Sequence, residues 1–162
     1  MRNVVVLIGV LFACGGKAAG PHQAAGPPPT AIGTSGYPGL DWGASVATIR
    51  AIYPTIRANP DGNFALVAPH EGEANVTTFE LVAGKLAKIS IAFDRTFASM
   101  NECATVWKTL RAALDPKLGK SAGENLAAFW ESATYVVMLS CDPDDAGNHA
   151  GLSMSYAPAP PP

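Results

Sequence analysis

The chain reads as one α+β domain, a two-layer sandwich in which an antiparallel sheet of about four to five strands carries two helices on one face. Three observations predict this. Two stretches place apolar residues at helical spacing behind a serine, and each meets a proline at its far end. Between and after them, several segments alternate apolar and polar residues with a period of two. The order helix, strands, helix, strands then fills residues 39–156, a length that suits one core rather than two.

The elements follow in order. Leu40-Asp41-Trp42-Gly43 leads to Ser45, a helix N-cap. Val46, Ile49 and Tyr53 then recur on one face, and Pro54 stops the helix. Asn59-Pro60-Asp61-Gly62 marks a turn, and Phe64 to Val67 forms a short strand. Val76 to Val82 and Leu86 to Phe93 make a hairpin through Ala83-Gly84-Lys85, with Ile89, Ile91 and Phe93 on one face and Lys88 and Ser90 on the other. Ser99-Met100-Asn101-Glu102 is a capping box that opens the second helix. Its stripe of Met100, Cys103, Trp107, Leu110 and Leu114 faces the core, and Pro116 is expected to end it. Extended segments follow at Phe129-Trp130, from Tyr135 to Cys141, and from Leu152 to Tyr156. The order suggests two similar halves, roughly 42–93 and 99–156.

The regions outside this domain differ in composition. Arg2 precedes an apolar run from Val4 to Phe12, and Ala13 stands directly before Cys14. A cationic residue, a short apolar run and a small residue are the parts of a secretory signal, here 1–13. Nine apolar residues are too few to span a bilayer, which needs roughly 20. Residues 14–38 are rich in Gly and Pro and read as a disordered linker, and 157–162 read as a disordered Pro-rich tail. Ser35, in Gly33-Thr34-Ser35-Gly36, lacks the strand and helix that would expose a nucleophile. His22 reads as a solvated linker residue.

Leu11-Phe12-Ala13-Cys14 resembles the lipobox of bacterial lipoproteins. The resemblance implies that Cys14 is acylated, becomes the mature N-terminus and holds the domain at the cell envelope. Gly15 after it, rather than aspartate, favours the outer over the inner membrane under the enteric sorting rule. The domain itself resembles small exported αββ modules of the BamE-like and β-lactamase-inhibitor-like kinds, through element order and the Trp42-Gly43-Ala44-Ser45 helix entry.

Within the domain, chemistry-bearing residues are few. An exported chain meets an oxidising compartment, so Cys103 and Cys141 are expected to form a disulfide. The geometry agrees: about 20 Å of helix runs down from Cys103, and about 23 Å of strand returns to Cys141. The carboxylates cluster in Asp142-Pro143-Asp144-Asp145, followed by Asn148 and His149, but no glutamate closes the loop at calcium-binding spacing. His70-Glu71-Gly72-Glu73 is a weaker metal-like string. No catalytic residue, metal site or cofactor is expected from these patterns. Net charge is −2 with no Lys/Arg cluster, so nucleic acid is not an expected partner. The expected function is a lipid-anchored, non-catalytic binding or scaffold module with an envelope protein as partner. The alternatives are an inhibitor of an exported enzyme, using Trp42 or Trp130 as exposed anchors, and a hydrolytic or metal-dependent enzyme using His70, Glu71 or Asp142–Asp145.

Overall fold

The computed structural model describes residues 31–70, 73–144, 147 and 149–161. Cys14, Gly15 and His22, with the stretch read as a secretory signal, lie outside them. Seven strands form one antiparallel sheet in the order β1-β2-β3-β4-β7-β6-β5: β1 (Arg57–Ala58), β2 (Phe64–His70), β3 (Glu73–Val82), β4 (Lys85–Phe97), β5 (Ala127–Glu131), β6 (Tyr135–Pro143) and β7 (Ala150–Pro158). Two helices accompany them, α1 (Val46–Ile52) and α2 (Met100–Leu118).

This corrects the expected two-layer sandwich of four to five strands. Each half is a helix followed by a meander, and the meanders join into one sheet because β4 pairs with β7. That pairing joins residues more than 50 positions apart, and no local pattern announces it. A further strand, β1, is too short to show any periodicity.

The helices start where their caps dictate. Ser45 Oγ accepts from the Thr48 amide at 3.2 Å, and Ser99 Oγ accepts from the Glu102 amide at 3.3 Å. Glu102 Oε2 reaches back to the Ala98 amide at 3.2 Å, completing the box one residue further out. Pro116 does not end α2, which runs to Leu118. A proline in the last turn removes only one i→i−4 bond, and the carbonyl left over belongs to Ala112, which faces water.

The inner face of the sheet holds the core. Along β4 and β7, Ile89, Ile91, Met154 and Tyr156 are almost fully buried. The cover differs between halves. Over β6 and β7 it is α2, through Cys103, Trp107, Leu110 and Leu114. Over β3 and β4, α1 is only seven residues long, and the preceding loop contributes Tyr37 and Leu40. Tyr37, Tyr53, Phe79 and Tyr156 form a ring cluster with centroids 5.4–5.9 Å apart. Residues 31–38, assigned to the linker by composition, are thus partly structural: Ile32 bridges Pro38, and Ser35 is fully buried with its hydroxyl on the Leu40 carbonyl at 2.7 Å. At the other end of the chain, Ala157 and Pro158 pair with Val136 and Tyr135 in the sheet.

Both sheet edges are partly blocked. Ala122 exchanges two backbone hydrogen bonds with Phe129 on the outer edge of β5, at 2.8 and 2.9 Å. Gly123 permits this tight return, since a Cβ there would sit 2.2 Å from the Ala127 carbonyl oxygen. On β2, the Asn59 amide bonds the Asn63 carbonyl, so odd-numbered residues point their backbone groups at β1 and the outer edge. Pro69 therefore places a nitrogen without hydrogen on the stretch that β1 leaves uncovered.

Candidate functional site

A cluster of polar side chains sits where β6 ends and β7 begins. Asp144 organises the turn: its backbone amide donates to the His149 carbonyl at 2.9 Å, and its Oδ1 accepts from the His149 amide at 3.2 Å. His149 Nδ1 lies 3.3 Å from Asp144 Oδ2. On the outer face, Ser140 Oγ donates to Asp142 Oδ2 at 2.7 Å and lies 3.1 Å from Ser153 Oγ.

An irregularity in β4 opens the space beside this cluster. Ala92 pairs with Ser153, yet Thr96 pairs with Gly151, so β4 carries two residues more than β7 over the same stretch. The excess bulges outward at Asp94 and Arg95. Arg95 turns away to Glu102 and stacks its guanidinium 4.7 Å from the Phe97 ring centroid. A groove of about 320 Å³ remains, lined by Thr96, Asp142, Asp144, His149, Leu152 and Ser153 among others.

Chemically, the carboxylates of this groove accept hydrogen bonds, which suits a partner group that donates them. The Ser140 hydroxyl, beside the groove, donates to the Asp142 carboxylate and not to an imidazole. Among the described residues, no three His, Cys, Asp or Glu side chains converge as metal ligands.

The other singled-out residues fall elsewhere. His70 ends β2 at the same end of the sheet, but strand order puts it four spacings from β6, about 19 Å. His70 and Asp144 are therefore not brought together. Glu71, Gly72, Asp145 and Asn148 lie outside the described residues. Trp130 is 1% exposed, and its indole donates to Asp115 Oδ1 at 2.9 Å, so it is a core residue and not an exposed anchor. Trp42 is half-buried, its indole held by the Thr134 carbonyl at 2.8 Å.

Cys103 and Cys141 form a disulfide that ties the first turn of α2 to β6, with Cα atoms 6.2 Å apart. Cross-linking residues 38 apart stabilises the fold by about 4 kcal/mol in the chain-entropy account. At the far end of α2, Asp115 links the helix to β5. Burial pushes its carboxyl up, but bonds from the Ser121 hydroxyl, the Trp130 indole and the Ser121 amide, with the Arg111 charge, outweigh that and hold it below its ordinary value.

Thr96 and Ser153 were not singled out by the sequence. The available signal was the lapse of alternation at Asp94-Arg95-Thr96, after the regular run of Ile89, Ile91 and Phe93. No family model, curated protein sequence or solved structure matches this chain.

Proposed function

We propose that this is a lipid-anchored protein of the cell envelope whose folded domain is a non-catalytic binding or scaffold module. One observation carries the reading: a chain whose leader ends in Leu11-Phe12-Ala13-Cys14 also carries a disulfide between its two remaining cysteines. Disulfides persist in oxidising, extracytoplasmic compartments, and both features call for export. No helix among the described residues is long and apolar enough to cross a membrane, so attachment in this reading falls to acylated Cys14. A pair of acyl chains on that cysteine suffices for stable anchoring, where a single chain does not. Gly15 directs the protein toward the outer membrane.

Binding falls to the groove at the β6–β7 turn, with an envelope protein presenting hydrogen-bond donors as partner. No cofactor enters this reading. Burial of Trp130 removes one of the two anchors on which the inhibitor alternative depended.

The test is fractionation of wild-type and Cys14→Ser chains, with mass spectrometry of the mature terminus. The wild type should partition with membranes and carry acyl mass on a terminal cysteine. A Cys14→Ser chain that still pellets with membranes, or an intact leader on the wild type, sinks the proposal.

A further inference from the structure

The two ends of the sheet differ in charge. At the far end lie the β6–β7 turn, the β4 bulge and the start of α2, where Cys103 meets Cys141. Asp94, Glu102, Asp142 and Asp144 stand there against Arg95, four carboxylates to one guanidinium. At the near end lie the β1–β2, β3–β4 and β5–β6 turns, the end of β7 and the last turn of α2, where Asp115 meets Trp130. Here Lys85, Lys88, Lys117 and Lys120 offset Asp41, Asp61, Glu80 and Glu131, and Arg111 offsets Asp115. One row further in, Arg50 lies over the Phe64 ring and Arg57 beside Ala65, which tips the near end to positive. Exposed apolar side chains gather at this end too: Val82 is 68% exposed, and Ala83, Ala133, Pro158 and Pro160 are also exposed.

The chain coming from Cys14 enters at the near end. The Ala31 carbonyl accepts from the Gly39 amide, Gly36 sits against the Tyr135 ring, and the Trp42 indole donates to the Thr134 carbonyl. We propose that this end rests on an anionic lipid surface, with the groove at the β6–β7 turn directed away from it. The proposal rests on the lipid-anchor reading and adds to it the face that meets the lipid.

Charge, and not the tether, sets the orientation. The sixteen residues between Cys14 and Ala31 can stretch to about 55 Å, so either end can reach the membrane. β6 alone is about 27 Å long, more than three screening lengths at physiological salt. The two ends therefore meet the surface potential separately. Near an anionic leaflet each unit charge counts for about fivefold, so the far end's excess of three carboxylates disfavours the inverted domain by about 100-fold. The cations and Val82 at the near end favour the upright one, because basic and apolar side chains are what the headgroup boundary takes up. An upright domain holds the groove about 30 Å above the lipid, open to a partner on the far side.

The test couples the full chain through Cys14, its one thiol outside the disulfide, to a maleimide lipid in nanodiscs. Chemical coupling replaces acylation, so the result stands whether or not the cell acylates Cys14. A gadolinium-chelating lipid then broadens backbone amide resonances according to their distance from the surface. With about 30% phosphatidylglycerol in phosphatidylcholine, Ala83, Gly84, Ala133 and Thr134 should broaden about fivefold more, or beyond, than Asp142, Asp144 and His149. In phosphatidylcholine alone that ratio should fall below about twofold. Asp94→Lys combined with Asp142→Lys should abolish the gradient on the anionic disc. Asp94→Lys alone, on the exposed bulge, should roughly halve it, and serves if the double variant fails a chemical-shift check of folding. Uniform broadening on the anionic disc, a reversed gradient, or the same gradient on both discs overturns the proposal. Fractionation of the Cys14→Ser chain tests the anchor by itself, so the two failures are told apart.

Discussion

The two halves of the sheet solve the same covering problem with different means. Over β6 and β7 the cover is a long helix, fixed at its first turn by the Cys103–Cys141 disulfide and at its last by Asp115 bonding to Trp130 and Ser121. Over β3 and β4 it is a short helix and a loop, held by rings: Tyr37 and Tyr53 close on Phe79, and Tyr156 arrives from the other half. One half is cross-linked and the other packed. A helix of seven residues cannot bury a stripe wide enough for that half, so aromatic loop residues fill the remaining area.

This contrast can be broken from either side. The largest effect should come from Phe79→Ala, which empties the centre of the ring cluster. A loss of about 4–5 kcal/mol in urea unfolding is expected, because the surrounding rings lose a fully buried partner. A loss under about 2 kcal/mol would show that the loop, and not the rings, holds that half.

Replacing both Cys103 and Cys141 with alanine should cost about 4 kcal/mol, nearly as much, through the unfolded chain. Hydrogen exchange should then rise first in α2 and β6. Equal acceleration in β2 and β3 would mean that the halves unfold as one unit and that the contrast is only geometric.

A smaller effect, about 1 kcal/mol, is expected for Asp115→Asn, which weakens the bonds to Trp130 and Ser121 at a partly solvated site. The acid limb of stability should change with it. The carboxyls of Asp115, Glu102 and Asp41 are all held below their ordinary values in the fold: Glu102 by Arg95 and the Ala98 amide, Asp41 by the Thr34 amide and hydroxyl. Groups with lowered native values contribute stability that is complete above their ordinary range, near pH 4.5 for Glu102, and lost as pH falls through the native values. Thermal unfolding should therefore drop below about pH 4, and Asp115→Asn should flatten that slope. An unchanged slope would show that Asp115 titrates alike in folded and unfolded chains.

The smallest expected effect is that of Ser45→Ala, about 1 kcal/mol or less, from loss of the Thr48 cap on a helix that contributes little cover. A larger loss in urea unfolding would show that α1 carries more of the cover than its length suggests.

How much of this was legible depended on how local each cause was. Ser45 and Ser99 announced both helices, because a cap needs only its own next turn. Ile89, Ile91 and Phe93 announced the inward face of β4, because alternation is a property of a single strand. The Asp142–His149 turn was visible as a carboxylate cluster. That Ser153 and Thr96 join it on one groove was not, since the bulge that gathers them shows only in the pairing of β4 with β7. Pro116 lies inside α2 rather than at its end, because proline's penalty depends on where in a helix it falls.

By itself, the sequence determined where both helices start, the inward faces of the longer strands and a cysteine spacing compatible with a bridge, for each follows from periodicity, capping or chain length. Tertiary structure decided that two meanders become one seven-stranded sheet and that Trp130 is core. Those outcomes rest on contacts between residues far apart in the chain, and register across strands is fixed only when the partners meet.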